Sequence, residues 1–291
     1  MRRDATGRLS RLLANPWVRV AAVALPVGVS LVNLARVPSV ALLPLVPAVA
    51  LYVVGKYLLC PLRWHAVTRG GLSRGWHVRA YAEGELLGLA APAHVAADLW
   101  RANRLIRAGL SKGHTARAIA LDRGVGAVGL ALGGAAVGVM LPPAVLVAGA
   151  AAATVALLAA WLLRVRRRRL HGDDVSRPTW RVLCLGLGLS VLYQACAAAF
   201  LLGVVAAVHE PVSPLRLAAI YTATQLAGVI PGWSGLSARD GALAASLTTL
   251  GLPWAAALGS VALAALIAWI PALVLGGTSL FARWIGTRIR P

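Results

Sequence analysis

Acidic residues are scarce in this chain. Only nine of its 291 residues are Asp or Glu, against 29 Lys or Arg, which gives a formal net charge of +20. Lysine is scarcer still: the chain has two lysines, Lys56 and Lys112, and the rest of the Lys and Arg count is arginine. A strongly basic chain could bind nucleic acid, but these arginines lie in short segments between apolar runs, where they act as topology signals. We therefore reject nucleic acid as a partner and expect the arginines to attract anionic lipid headgroups.

Cysteine is also rare. The three residues Cys60, Cys184 and Cys196 lie in apolar segments, without CxxC spacing and without a nearby histidine. That pattern favours small core residues over disulfides or metal ligands. The six histidines are scattered without the spacing of metal ligands. The sequence therefore predicts no metal and no other cofactor.

Hydrophobic residues, in contrast, make up 59% of the chain, and the mean hydropathy is +0.76. These values indicate a polytopic membrane protein and exclude a soluble domain with one core. Six apolar runs have the length of a membrane span, at about 17–35, 39–62, 119–141, 144–163, 182–208 and 254–277. The N-terminal arginines precede no evident cleavage site, so we expect a retained cytoplasmic start.

The arginines between the runs predict the topology. The loop 164–181 contains seven arginines, and both it and the basic C-terminus are expected in the cytoplasm. The runs 80–117 and 215–252 then fit re-entrant hairpins. The predicted fold is an all-α polytopic membrane protein of one domain, 1–291, in the cell membrane, with both termini cytoplasmic. It has two inverted-topology halves, about 17–141 and 144–277, with six full spans plus two re-entrant helical hairpins; the alternative is eight to ten crossings.

The two hairpin regions resemble each other in sequence. Gly109-Leu110 aligns with Gly251-Leu252 at an offset of 142 residues, and Asp98 meets Asp240 at the same offset. Interrupted hydrophobic segments that recur in both halves of a membrane protein point to the binding site of a transporter. An acidic residue close to an arginine lies in both copies, as Asp98 with Arg101 and as Asp240 with Arg239.

Charged groups inside a bilayer persist when they are paired, buried in protein or exposed to water. A guanidinium suits phosphate oxygens, and a half-helix N-terminus adds free N–H donors. We therefore predict an anionic headgroup site, although Asp98–Arg101 can also be an ordinary helix-surface pair. The predicted site residues are Asp98, Arg101, Arg239 and Asp240, with Pro231, Gly232 and Gly235 supplying the break in the helix.

Other charged residues in the apolar parts receive weaker roles. Asp122 and Arg123 are predicted to be a gating or structural pair. Glu83 and Glu85 have no cation within four residues except Arg79, so they are candidates for carrying a coupling proton or for facing the aqueous loop. Lys56 is expected to snorkel towards the interface.

The segment IPGWSGLSARDGAL, residues 230–243, resembles the I-P-x-P-G-G-x-G-x-x-E-G-A-L element of the transmembrane-region family of lysylphosphatidylglycerol synthases. Asp122-Arg123 is similar to the family's E-R pair, and Arg63-Trp64 to its R-W pair. The resemblance extends over about residues 40–280 but is sharp only at these places. The family's second proline, one of its glycines and its glutamate are replaced here by Trp233, Ser234 and Asp240.

The resemblance implies a flippase-like protein that moves lipids or lipid-linked sugars between leaflets. The soluble aminoacyl-transferase domain of the named synthases is not expected, because about sixteen residues precede the first span and fourteen follow residue 277. We predict translocation of an anionic or polyprenyl-phosphate-linked lipid and no enzymatic activity. One alternative is a non-transporting membrane partner that docks a lipid-modifying enzyme on its basic cytoplasmic face. A membrane-embedded lipid-phosphate enzyme is less favoured, since the chain has no DxD, no HExxH and no nucleophile beside a base.

Overall fold

A computed structural model describes residues 16–89, 95–137, 179–209, 212–227 and 236–288, which form helices and turns without a strand. The helices of these ranges are α1 Pro16–Leu34, α2 Leu45–Val54, π1 Gly55–Leu59, α3 Cys60–Thr68, α4 Arg74–Leu89, α5 Val95–Arg107, α6 Lys112–Val137, α7 Trp180–Val208, α8 Pro214–Ala227, α9 Ala238–Thr248, α10 Trp254–Pro271, π2 Ala272–Gly276 and α11 Gly277–Arg288. The prediction of an all-α protein is confirmed for these residues.

Four helical stretches in the described ranges are long and apolar enough to cross a membrane. They are Leu45–Thr68, Lys112–Val137, Trp180–Val208 and Trp254–Ile285, with 24 to 32 residues each. A span needs about 20 residues, because a helix rises about 1.5 Å per residue and the hydrocarbon core is about 30 Å thick. These helices suit a multi-pass membrane protein, as predicted. The predicted span 144–163 lies outside the described residues.

The second predicted span, 39–62, lies about six residues too early. Residues 35–44 form turns, and the helix begins at Leu45, directly after Pro44. Proline lacks an N–H donor and disfavours helical backbone in the residue before it, so Pro38 and Pro44 hold this segment out of a helix. At the other end Arg63 does not stop the helix, because its guanidinium is bound inside the protein.

The two interrupted regions form pairs of short helices. Helices α4 and α5 have 16 and 13 residues, and α8 and α9 have 14 and 11. Each is shorter than the roughly 20 residues that a full crossing needs. The predicted break residues Pro231, Gly232 and Gly235 lie outside the described residues.

The two similar segments share one local feature of structure. After α5 and after α9 the backbone turns at a glycine with positive φ, 95° at Gly109 and 93° at Gly251. The Gly109 amide donates to the Ile106 carbonyl and the Gly251 amide to the Thr248 carbonyl, both at 3.0 Å. Such a left-handed glycine is a common helix end. Both hydrogen-bonded positions differ by 142 residues, as the sequence alignment does.

Helix α7 lies at the centre of the packing, in contact with α2, α3, α6, α8 and α10. Glycines let α7 approach its neighbours closely. A Cβ added at Gly203 of α7 would overlap Ala48 of α2, and a Cβ added at Gly129 of α6 would overlap Ser190 of α7. Small residues at helix contacts are the usual means of close packing in membranes. Helix α4 packs on α5, π2 and α11. This arrangement brings the charged residues of the first interrupted region against the last span.

Candidate functional site

The described ion pairs connect five carboxylates with seven cations. The carboxylates are Glu83, Glu85, Asp98, Asp122 and Asp240, and the cations are Lys56, Arg63, Arg101, Arg104, Arg123, Arg239 and Arg283. The two extra cations arise because Asp98 and Glu83 each contact two arginines. Positive charge therefore exceeds negative charge at these two places.

Asp98 lies in the first turn of α5 and joins two guanidinium groups. Arg101 Nη2 donates to its Oδ1 at 2.8 Å, and Arg123 Nη2 donates to both of its oxygens at 2.7 Å. Arg101 is buried, with its cation 4.5 Å from the centre of the Tyr81 ring. Arg123 of α6 is 52% exposed. The Asp98–Arg101 ion pair is present, and Arg123 adds an accessible cation to it, whereas their role in binding a headgroup stays a prediction.

Asp122 and Arg123 contact different partners. Asp122 accepts hydrogen bonds from Arg63 Nε at 2.8 Å and from Arg63 Nη2 at 3.3 Å, while Arg123 binds Asp98. Adjacent residues on a helix point about 100° apart, so the two side chains of α6 face different neighbours. Arg63 also donates to Ser190 Oγ at 3.0 Å, which ties α3, α6 and α7 together. Asp122 and Arg123 thus belong to two separate ion pairs, and their role as a gating or structural pair stays a prediction.

Glu85 has a cationic partner that lies 29 positions earlier in the chain. The Lys56 ammonium, in the π-helical turn, lies 3.0 Å from Glu85 Oε2, and both side chains are largely buried. Lys56 therefore turns inward, whereas snorkelling to the interface was expected. The π-helical turn is a feature often found at functional sites.

Glu83 is the most enclosed of the carboxylates, with 1% of its side chain exposed. Its Oε2 accepts a hydrogen bond from Trp100 Nε1 at 3.0 Å, and its Oε1 accepts one from Ser279 Oγ at 2.9 Å. Arg104 Nε and Arg283 Nη1 lie 3.2 and 3.5 Å from Oε2. Four groups from α5 and α11 thus surround the Glu83 carboxylate. Its role as a carrier of a coupling proton stays a prediction.

Asp240 forms a capping box at the start of α9. The Ser237 hydroxyl accepts from the Asp240 amide at 3.1 Å, and the Ser237 amide donates to Asp240 Oδ2 at 3.2 Å. The reciprocal bonds satisfy N–H groups that a helix start leaves free. Arg239 Nη2 lies 3.4 Å from Asp240 Oδ1, and the Arg239 side chain is 40% exposed. Asp240 thus orders the helix start, and Arg239 is the accessible charge beside it.

His77 occupies a buried position in α4, against the rings of Trp64, His65 and Trp76. Its Nδ1 lies 3.0 Å from the Ser73 carbonyl, so that nitrogen carries the proton, and its Nε2 is buried without a hydrogen-bond partner. Burial lowers the pKa of His77 to about 4, with the Ser73 carbonyl contact opposing this shift and the nearby His65 adding to it. The imidazole is therefore neutral at physiological pH.

The predicted site residues form two groups among the described elements. Asp98 and Arg101 lie with Arg123 between α5 and α6, and Arg239 and Asp240 lie with Ser237 at the start of α9. The site prediction did not include the interacting residues Ser237, Arg63, Arg104, Ser279 and Arg283. Of these, Ser237 alone has a local sequence signal, because S-x-x-D before an apolar run is a capping pattern. The other contacts join distant segments and have no such signal.

Comparisons of the chain with protein-family models, with curated proteins and with solved structures each found no match. The resemblance to the lysylphosphatidylglycerol synthase transmembrane region therefore stays a prediction that rests on the motifs alone. Function has to be inferred from the charged groups themselves.

Proposed function

We propose that the protein moves an anionic lipid, or a polyprenyl-phosphate-linked lipid, between the leaflets of the cell membrane. The observation that carries the proposal is the pair of guanidinium groups that share the Asp98 carboxylate inside an interrupted helical region. Arg101 is held by Asp98 and Tyr81, whereas Arg123 is half exposed. A phosphate can be bound by the exposed guanidinium while the acyl chains stay in lipid.

The second interrupted region supports the same function. Arg239 is 40% exposed beside Asp240, which the capping box already holds in place. Both regions consist of a short helix with Asp in its first turn, a glycine turn and a long apolar helix. We propose that these regions are re-entrant hairpins in two inverted halves with six full spans, and that each presents an arginine to the headgroup. Repeated, interrupted helices are the arrangement in which many transporters bind their substrates.

The test is leaflet exchange of fluorescent and polyprenyl-phosphate lipids in proteoliposomes. Arg123→Gln and Arg239→Gln remove the two accessible charges and keep most of the side-chain volume. Arg216→Gln, at an exposed position of α8, removes an equal charge elsewhere and is the matched control. Thermal unfolding in detergent establishes that each variant is folded before exchange is measured.

We expect exchange in the wild type and in Arg216→Gln, and a loss of about tenfold or more in each of the other variants. One charge-assisted hydrogen bond is worth about 1.5–3 kcal/mol, and about 1.4 kcal/mol corresponds to tenfold. Exchange that persists in both variants would place the headgroup site elsewhere. No exchange across a broad panel of lipids would contradict transport and favour a partner that docks a lipid-modifying enzyme.

A further inference from the structure

A cavity of about 390 Å³ lies between α4, α5 and α11, apart from the Asp98 and Arg239 groups. Its lining residues are Trp76, Arg79, Glu83, Arg104, Ser279 and Arg283, together with Ala282. The volume is within the range of about 300–1,000 Å³ that is usual for ligand sites. Three arginines against one glutamate give the lining a charge of +2.

Glu83 alone does not satisfy the arginines around it. Arg104 Nε lies 3.2 Å from the carboxylate, yet this buried N–H makes no hydrogen bond. Arg79 lies at the rim, and its Nε contacts the carbonyl of Gly75 at 3.3 Å. A buried donor without an acceptor is costly, by about 1–3 kcal/mol, so an acceptor that enters the cavity gains this energy.

The walls of the cavity suit the interface between membrane and water. Arg104 lies over the Trp76 ring at 5.2 Å, and Arg283 lies over the Trp100 ring at 5.0 Å. Ser279 and Arg283 are four residues apart on one face of α11, near the end of the candidate span Trp254–Ile285. Tryptophan and arginine at the end of a span are the residues that meet lipid headgroups.

We infer that this cavity binds a phosphate group, held by Arg79, Arg104 and Arg283 beside Glu83. The shared chemistry is a phosphate monoester or inorganic phosphate, supplied either by an anionic phospholipid headgroup or from solution. The Arg104 N–H gains an acceptor, and the Ser279 hydroxyl is placed to turn from Glu83 to the ligand. The site goes beyond the proposed transport, because binding here requires no movement of lipid between leaflets.

The experiment measures binding to the purified full chain in detergent. Native mass spectrometry counts bound phosphatidic acid, with phosphatidylcholine of the same acyl chains as the zwitterionic control. Equilibrium dialysis with radiolabelled inorganic phosphate is the second arm. The variants are Arg79→Gln, Arg283→Gln and Glu83→Gln, and Arg107→Gln is the control, an exposed arginine one turn from Arg104.

Arg79→Gln and Arg283→Gln should weaken binding of the phosphate probe by about three- to tenfold or more, and Arg107→Gln should leave it unchanged. Glu83→Gln should strengthen binding by about tenfold, because it removes a like charge next to the ligand. This opposite sign separates an anion site from general loss of structure. The ion-pair partners of Glu83 among the described residues are Arg104 and Arg283, not Arg79. Arg79→Gln therefore leaves the buried Glu83 pairs intact and keeps the test valid if the other variants misfold.

Binding of phosphatidic acid but not of inorganic phosphate assigns the site to a lipid headgroup, and binding of both assigns it to phosphate in general. The inference would be overturned if the protein bound neither phosphatidic acid nor inorganic phosphate. It would also be overturned if Arg79→Gln and Arg107→Gln changed binding equally, or if Glu83→Gln weakened binding. These readouts do not involve leaflet exchange. A protein that binds the phosphate probe but does not exchange lipids would contradict the transport proposal alone.

Discussion

Replacing Asp122 by Asn should destabilise the protein far more than a change at the adjacent Arg123. Asp122 and Arg63 are both buried, and their two hydrogen bonds are 2.8 and 3.3 Å long. The substitution keeps the shape of the side chain but leaves the Arg63 guanidinium without a counter-charge. Removing one partner of a buried ion pair costs about 3–5 kcal/mol.

Arg123→Gln is the matched control for Asp122→Asn. Arg123 is also bound to an aspartate, but 52% of its side chain is exposed. Exposed ion pairs contribute about 0–1 kcal/mol, because water screens them. The free energy of unfolding, measured by SDS titration in mixed micelles, should therefore fall by several kcal/mol in Asp122→Asn and by at most about 1 kcal/mol in Arg123→Gln.

The double variant Arg63→Met with Asp122→Leu tests the cause. Removing both charges leaves no uncompensated ion, and replacement of a buried pair by apolar residues is often neutral or stabilising. We expect it to recover most of the stability that Asp122→Asn loses. Equal and small losses in Asp122→Asn and Arg123→Gln would refute the reasoning, since the burial of the pair would then have no energetic effect.

Gly276→Ala should destabilise the protein by about 1–3 kcal/mol, because the added Cβ would lie 2.6 Å from the Ala82 carbonyl oxygen. Gly277→Ala is the control in the same unfolding assay, because a Cβ added there meets no atom within 4 Å. Ser237→Ala should cost about 0.5–2 kcal/mol by removing the cap of α9, whereas Ser246→Ala within the same helix should be nearly neutral. Stability should fall as the pH drops from 6.5 towards 4, because the pKa of His77 is about 4 when folded, against 6.5, so the unfolded chain binds the proton first. His77→Gln should reduce this dependence, and a pKa near 6.5 in an NMR titration of His77 would contradict it.

The helical character of the chain could be read from local sequence. Apolar runs of span length require helices, because the bilayer offers no hydrogen-bond partners to the backbone. The span Trp180–Val208 agrees with the predicted 182–208 within two residues. The start of the second span did not agree, since Pro38 and Pro44 hold the preceding residues in turns. The hydropathy of that segment outweighed its prolines in the prediction.

Part of the candidate site could also be predicted. Asp98 with Arg101 and Asp240 with Arg239 lie within one helical turn, so neighbourhood in sequence ensures neighbourhood in space. Asp122 and Arg123 are adjacent, so their side chains point in different directions on α6 and contact different partners. Local helix geometry thus predicted the Asp98–Arg101 contact, whereas the partners of Asp122 and Arg123 depend on how distant helices pack.

The sequence by itself determined a basic, all-helical membrane protein with two similar interrupted segments, because hydropathy and charge act over short stretches of chain. Tertiary structure decided which charges meet. Arg63 and Asp122 are 59 residues apart, and Glu83 and Ser279 are 196 apart. Such pairs depend on how distant helices pack against one another, and a charged group inside a membrane persists where that packing supplies a partner. The cavity between α4, α5 and α11 exists for the same reason.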